Sequence, residues 1–249
     1  MPGLPVDGAE CAAAHPVPGG YVRYEPFADW GVHALATTRA AGSFATGSDE
    51  PVGAVMARWD ALRAHAASDG VERFATARQV HGAEVISHVP GWRGWLRGLD
   101  ADGHLAPARG TAAAVTVADC VPVYVAHPSG ATALLHSGWR GTAAGILDRA
   151  LTALAELGHA TADLRVLLGP AICGACYEVS PDVYGQLTGR AVGRATPVDL
   201  RALIAARARA LGVRAVFATD ACTRCDQTVY YSHRAGDPGR QLGVLYAAG

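Results

Sequence analysis

Three side chains of this 249-residue sequence have the right types for metal or nucleophile chemistry: His81, Cys120 and His136. Two of them sit in unusually dry surroundings. Between Gly110 and Trp139 the only formal charge is Asp119. The stretch from Val115 to Gly141 therefore reads as core, and a polar group inside it needs a partner or a task. One thiolate and two imidazoles suit zinc, and three protein ligands leave a fourth position for water or substrate. The same thiol with His136 as base also suits a hydrolase or amidase in which Cys120 is the nucleophile. A third reading makes Cys120 a small packed hydrophobe and His81 a structural histidine. Residue types alone leave all three open.

Around this trio other candidates cluster. Asp119 precedes Cys120 and points to the opposite face, where it either orients a ligand or satisfies backbone donors. Ser137 to Gly141 joins a strand to a helix start, and Arg140 there suits an anion such as phosphate; the alternative is a carboxylate partner for Arg140. Arg39 and Gln79 are further candidates for substrate contact. Cys173-x-x-Cys176 and Cys222-x-x-Cys225 form two short pairs. Their separation exceeds the spacing usual for one zinc site, so reduced thiols are the expected state, and the alternative is a shared structural zinc, as in a non-catalytic zinc-binding protein.

The elements that must position these residues can be read in part. His127-Pro128-Ser129-Gly130 suits a three-residue hairpin loop, with Pro128 presetting the first turn position and Gly130 accepting a positive φ. In that register partner numbers sum to about 258, and Cys120 and His136 become diagonal neighbours on one face. A two-residue loop would put them on opposite faces. Strands are expected within Tyr21 to Thr38, within Phe74 to Val89 around Arg78-Gln79-Val80-His81-Gly82, at Leu164 to Leu168, at Val213 to Phe217 and near the C-terminus. Gly91 to Gly103 reads as a connector. Helices are expected over Pro51 to Ser68, over Thr142 to Leu157 with Thr142 as N-cap, after Ser180-Pro181, and over Leu200 to Leu211 with Asp199 as cap. This irregular alternation implies α/β architecture with mixed sheets flanked by helices.

Composition narrows the function classes. Half of the residues are hydrophobic, and the formal net charge is −1. No electrostatic case for nucleic acid or an anionic membrane exists, and no apolar run suits a membrane span. All 21 basic residues are Arg, which excludes Schiff-base lysine chemistry and a Walker-type phosphate loop. Residues 1–20 read as a flexible Pro/Gly tail rather than a secretion signal, ahead of a single domain over 21–249. Six cysteines without such a signal lead to an expected cytoplasmic, reduced state.

Several stretches taken together resemble one family. They are RQVHGAEV, Ala101-Asp102-Gly103, TVADCVPVYVAHPSG, HSGWRGTAAGIL, LGPAICGACYEV, DLRALIAARARALGV, and ACT followed by YYSHRAGDPGRQLGVLY. The pattern resembles the laccase-domain family, first labelled multicopper polyphenol oxidases and later assigned as purine nucleoside phosphorylases. The resemblance implies a single-domain sandwich of mixed β-sheets flanked by helices. It implies a zinc held by His81, Cys120 and His136, with copper the less favoured metal. It implies phosphorolysis of adenosine, inosine, guanosine and methylthioadenosine, with adenosine deamination as a second activity. Purine nucleosides and phosphate are then the partners, and the protein is a monomer or small homo-oligomer. The family's usual paired arginines near the C-terminus are reduced here to Arg234 followed by Ala235.

Overall fold

A computed structural model describes residues 6–249. In chain order the strands are β1 (Glu10–Cys11), β2 (Ala14–Val17), β3 (Tyr21–Tyr24), β4 (Val32–Thr37), β5 (Arg73–Ala77), β6 (Val85–Ser87), β7 (Gly94–Gly98) and β8 (Gly103–Ala106). They continue with β9 (Thr111–Val117), β10 (Val121–Ala126), β11 (Thr132–Ser137), β12 (Arg165–Leu168), β13 (Glu178–Val179), β14 (Thr196–Pro197), β15 (Ala215–Ala218) and β16 (Gln241–Ala247). The helices are α1 (Val52–Ser68), α2 (Trp139–Ala143), α3 (Ile146–Glu156), α4 (Pro181–Thr188) and α5 (Leu200–Ala210).

Two seven-stranded sheets carry the fold. Sheet I has the order β1-β15-β12-β10-β11-β8-β6, and sheet II the order β2-β3-β4-β16-β9-β5-β7. Both are mixed. In sheet II, β5 runs parallel to β9 and β7, and the other neighbours are antiparallel. The sheets face each other through Ala34, Val115 and Leu245 on one side and Tyr124, Leu134 and Leu167 on the other. The outer face of sheet I, including Val123, Leu135 and Val166, is covered by Leu147, Leu151 and Ile204 of α3 and α5. The outer face of sheet II is covered by Val55, Trp59 and Leu62 of α1. Strands β10 and β11 are buried at every position, because helices cover one face and the other sheet covers the second. That is why their sequences run apolar without alternation.

The central hairpin has the expected register, with Ala126 opposite Thr132 and Pro122 opposite His136. Other expectations need correction. Residues 10–17, read as part of a flexible tail, pair into both sheets: β1 lies beside β15 and β2 beside β3. The partner of β1 is distant in sequence, so composition gave no sign of it, whereas β2 forms a local hairpin with β3 through Gly19-Gly20 that the Pro- and Gly-rich composition masked. The Arg78–Gly82 stretch is a loop between β5 and β6, not strand. The Gly91–Gly103 connector contains the edge strand β7. The single helix expected over Thr142 to Leu157 is two helices, because Gly145 takes a φ of 75° between α2 and α3. Thr142 does not cap; its Oγ1 donates to the Gly138 carbonyl at 2.9 Å inside α2.

Candidate functional site

The trio is assembled where the chain leaves one sheet for the other. β5 and β9 are parallel neighbours in sheet II, so their carboxyl ends lie side by side. From β5 the chain crosses to β6 of sheet I, and His81 lies on that crossing. From β9 it crosses to β10 of sheet I, and Cys120 lies on that one. His136 stands near the end of β11, paired to Pro122 of β10. Ligand atoms of His81, Cys120 and His136 lie within 4.8 Å of one another. The two rings are edge-to-face with centroids 4.8 Å apart.

Both crossings hold an unusual backbone conformation. Among the described residues, His81 (φ 60°) and Asp119 (φ 82°) are the non-glycine residues with positive φ. Such conformations cost roughly 1–3 kcal/mol each and persist only where surroundings enforce them. The enforcing contacts are visible. Asp102, fully buried, accepts from the amides of Val80 and His81 at 3.0 Å and Gly82 at 2.8 Å. The opposite crossing is held by Asp119, which accepts from the Thr223 hydroxyl at 2.6 Å and the Arg234 amide at 2.7 Å.

Asp102 also orients His136. Its Oδ1 lies 2.7 Å from His136 Nδ1, and its carbonyl accepts from the His136 amide at 2.7 Å. With Nδ1–H donating to the carboxylate, a neutral His136 would present its Nε2 lone pair to a cation in the site. Carboxylate–histidine pairs of this kind fix ring orientation behind a metal. Burial alone would raise the Asp102 carboxyl, but the His136 hydrogen bond and the Gly82 and Val80 amides outweigh it and hold it low. Burial would likewise raise the Cys120 thiol; the His136 charge and hydrogen bonds from His136 and His81 instead bring it below the usual thiol range. His136 moves the other way, since Cys120 and Asp102 outweigh its own burial and raise it.

The donor set fits a single cation. One zinc holds sulfur at about 2.3 Å and nitrogen at about 2.0–2.1 Å, and the three donor atoms lie close enough together, within 4.8 Å, to share one. Room for the set depends on Gly138, where a Cβ would stand 2.8 Å from Cys120 Sγ and 3.4 Å from His81 Cδ2. Among the described residues no further imidazole joins this group. Two further imidazole pairs lie elsewhere among the described residues: His88 and His104 are buried and hydrogen-bonded to each other at 2.9 Å, and His127 and His159 have ring centroids 4.2 Å apart.

The remaining candidates fall into different places. Asp119 makes no hydrogen bond to either ring; the orienting position expected of it belongs to Asp102, and Asp119 instead ties Cys120's crossing to the 223–234 segment. Gln79 spends its amide on Thr116, accepting from its N at 2.7 Å and donating to its carbonyl at 2.8 Å, which staples the His81 crossing to the end of β9. Arg39 donates to Asp237 at 2.5 Å and to the Tyr230 carbonyl at 2.9 Å, so its guanidinium is already engaged. Arg140 is exposed, stacks over Trp139 at 4.4 Å and has no ion pair among the described residues. Tyr177 is within electrostatic reach of the site: burial raises its hydroxyl, Cys120 and Asp119 add to this, and Arg234 and Arg140 oppose it. A cleft of about 520 Å³ lies on the α1 side, lined by Phe44, Trp59, Trp95, Gln79 and Arg240. It touches the His81 loop through Gln79, and none of the trio lines it. Asp102 and Tyr177 were not singled out from sequence. Asp102 did stand in the quoted Ala101-Asp102-Gly103 motif, as a carboxylate just before a buried strand.

The four paired cysteines also converge, with ligand atoms within 4.8 Å of one another. Both groups have geometries that could hold a metal. No helix among the described residues is long and apolar enough to cross a membrane.

Comparison with known proteins adds a family match. The model described as multi-copper polyphenol oxidoreductase laccase matches residues 38–248. A Streptomyces coelicolor protein named purine nucleoside phosphorylase is 34% identical over 206 residues, covering 80% of this chain and 84% of that protein. A Mycobacterium tuberculosis protein of the same name is 37% identical over 155 residues, and the match spans 59% of this chain and 62% of that one. The crystal structure of YlmD from Geobacillus stearothermophilus superposes with a TM-score of 0.84 at 26% identity, over 96% of this chain and 100% of that one.

Proposed function

Because the chain belongs to the multi-copper polyphenol oxidoreductase laccase family, we propose that it is a zinc-dependent purine nucleoside phosphorylase of the cytoplasm. Its proposed substrates are adenosine, inosine, guanosine and methylthioadenosine with phosphate, and adenosine deamination is a second activity. The observation that carries this reading is the convergence of His81, Cys120 and His136 with Asp102 fixing one ring. When bound there, zinc would supply a Lewis acid and a fixed positive charge, and three protein ligands would leave a fourth position for water or substrate. The rest falls to the chain's own residues. Asp102 holds Nε2 of His136 toward the site, and Gln79 locks the His81 loop to Thr116. Arg140, without a carboxylate partner among the described residues, is assigned to phosphate, as a planar guanidinium suits its oxygens.

In phosphorolysis a phosphate oxygen forms the new bond to the anomeric carbon while the bond to the purine nitrogen breaks. Positive charge builds on the ribose and the departing base takes up a proton. Positioning phosphate against the sugar supplies much of the acceleration in such a reaction. Oxidation of polyphenols by several coppers would need imidazoles beyond the two that meet here.

A second reading is favoured by one observation, the lowered thiol of Cys120 beside His136. It makes Cys120 the nucleophile of a hydrolase or amidase. Metal analysis separates the two: a cation lost in a His81→Ala variant supports the phosphorylase. The direct test incubates the purified protein with inosine, with and without phosphate. Hypoxanthine and ribose 1-phosphate should form together and only with phosphate. Absence of purine release from zinc-replete protein would remove the reading.

A further inference from the structure

Away from the trio, four of the five remaining cysteines meet in one place, without a role in the proposed chemistry. They reach one another by the same topology that gathers His81 and Cys120. β12 and β15 are parallel neighbours in sheet I, with Leu168 opposite Ala218. Each strand leaves its carboxyl end into a loop carrying Cys-x-x-Cys. The two loops stay together beyond the strands: Ala171 bridges Cys222, and the Thr223 amide donates to the Ala171 carbonyl at 3.2 Å. Each pair is folded into a tight turn, with the Cys176 amide donating to the Cys173 carbonyl and the Asp226 amide to the Cys222 carbonyl, both at 3.0 Å. Such turns bring both sulfurs of a pair to one side.

We infer that Cys173, Cys176, Cys222 and Cys225 form a second metal site, a closed four-thiolate site for zinc that fastens the two loops behind the catalytic trio. All four sulfurs lie within 4.8 Å of one another, and Cys176 and Cys225 are 3.5 Å apart. A tetrahedral zinc with sulfur at about 2.3 Å separates its ligands by roughly 3.8 Å, inside that range. The Cys173 amide donates to Cys222 Sγ at 3.2 Å, an arrangement that stabilises a thiolate over a thiol. On binding, each thiol gives its proton to solvent as its sulfur takes the cation. Four protein ligands leave no open position, so this site holds structure and does no chemistry.

What it holds is adjacent to the reaction. The Ile172 amide donates to the Asp119 carbonyl at 3.0 Å, and Thr223 donates to the Asp119 carboxylate at 2.6 Å. Asp119 has the strained φ of 82° immediately before Cys120. Tyr177, which follows Cys176, stacks under Arg234 at 5.0 Å. A cation across the two loops thus fixes the backbone that presents Cys120.

The test uses the full chain, produced in zinc-supplemented medium and purified under reducing conditions without chelator. A His81→Ala/His136→Ala variant, with the trio disabled, should retain about one zinc per chain by elemental analysis. Adding Cys176→Ser and Cys225→Ser should remove it. A companion measurement spares the fold: in the unaltered protein, iodoacetamide labelling followed by peptide mass spectrometry should find these four thiols protected together until a strong chelator is added. Three results overturn the inference: a folded double-histidine variant without zinc, equal labelling with and without chelator, or a Cys176–Cys225 disulfide in the reduced preparation. Neither readout uses nucleoside turnover, so the outcome is independent of the phosphorylase reading.

Discussion

The trio and the four-cysteine cluster rest on the same topology and differ in what surrounds them. Each takes ligands from the carboxyl ends of two parallel neighbouring strands, β5 and β9 for the trio, β12 and β15 for the cysteines. This is where open α/β sheets commonly place ligands, because loops diverge there. The cysteine loops leave sheet I toward β13 and β16, but they are joined to each other by backbone hydrogen bonds and hold their cysteines in relaxed turns. The trio's loops cross between the sheets, with positive φ at His81 and Asp119 and a buried carboxylate holding three amides. A closed site needs four soft ligands and little else. An open one needs its ligands held from behind, since no fourth side chain completes the shell.

The comparison is broken most severely by removing a trio ligand. Cys120→Ala or His136→Ala should lower phosphorolysis by about 10²–10⁴-fold, the scale of losing a group that acts on the reacting atoms. Either change should leave the cysteine cluster's metal in place, as elemental analysis will show. Loss of both metals together would mean the two sites are one cooperative unit.

Next in size is the support behind the trio. Asp102→Ala should weaken metal retention at the trio by about 10–100-fold, measured by competition with a chelator. It also leaves the Val80, His81 and Gly82 amides without their acceptor, so the melting temperature should fall. Among the described residues Asp102 makes no hydrogen bond to either cysteine loop, and the metal of the cysteines should be unaffected.

A smaller effect is expected at Gly138. An alanine there meets Cys120 Sγ at 2.8 Å, and overpacking of this kind costs about 1–3 kcal/mol. Gly138→Ala should lower both denaturation midpoint and metal retention, without altering zinc bound by the cysteines. The mildest perturbation is pH. In metal-stripped protein the Cys120 thiol is held low by His136 and His81 against its own burial. Its thiolate therefore persists to lower pH than an ordinary thiol with a pKa of about 8.5. Alkylation of the Cys120 peptide, followed by mass spectrometry, should rise with pH and reach half its maximum well below that value. A midpoint at or above it would contradict the electrostatics described for the pair.

Much of this arrangement could be read from residue order, and most failures share a cause. The loop His127–Gly130 set the register of β10 and β11, which alone brought Cys120 and His136 to one face. The helix start at Ser180-Pro181 and the cap at Asp199 were local signals and are present. What depended on distant pairing was not legible. Asp102 orients His136 only because β8 pairs with β11, so Asp119, the nearer carboxylate, seemed the better candidate. The two cysteine pairs looked too far apart for one site, 49 residues between equivalent members, until β12 and β15 proved to be neighbours. Residues 10–11 were hidden for the same reason, since β1 pairs with the distant β15, while the local β2–β3 hairpin was masked by its Pro- and Gly-rich composition.

The central claim is that one cation, held by His81, Cys120 and His136, drives phosphate-dependent cleavage of purine nucleosides. Its sharpest check is a side-by-side measurement of ribose 1-phosphate formed from inosine by the zinc-loaded protein and its His81→Ala variant. The account predicts product in step with released hypoxanthine for the first and almost none for the second. Equal rates from the two proteins would contradict it.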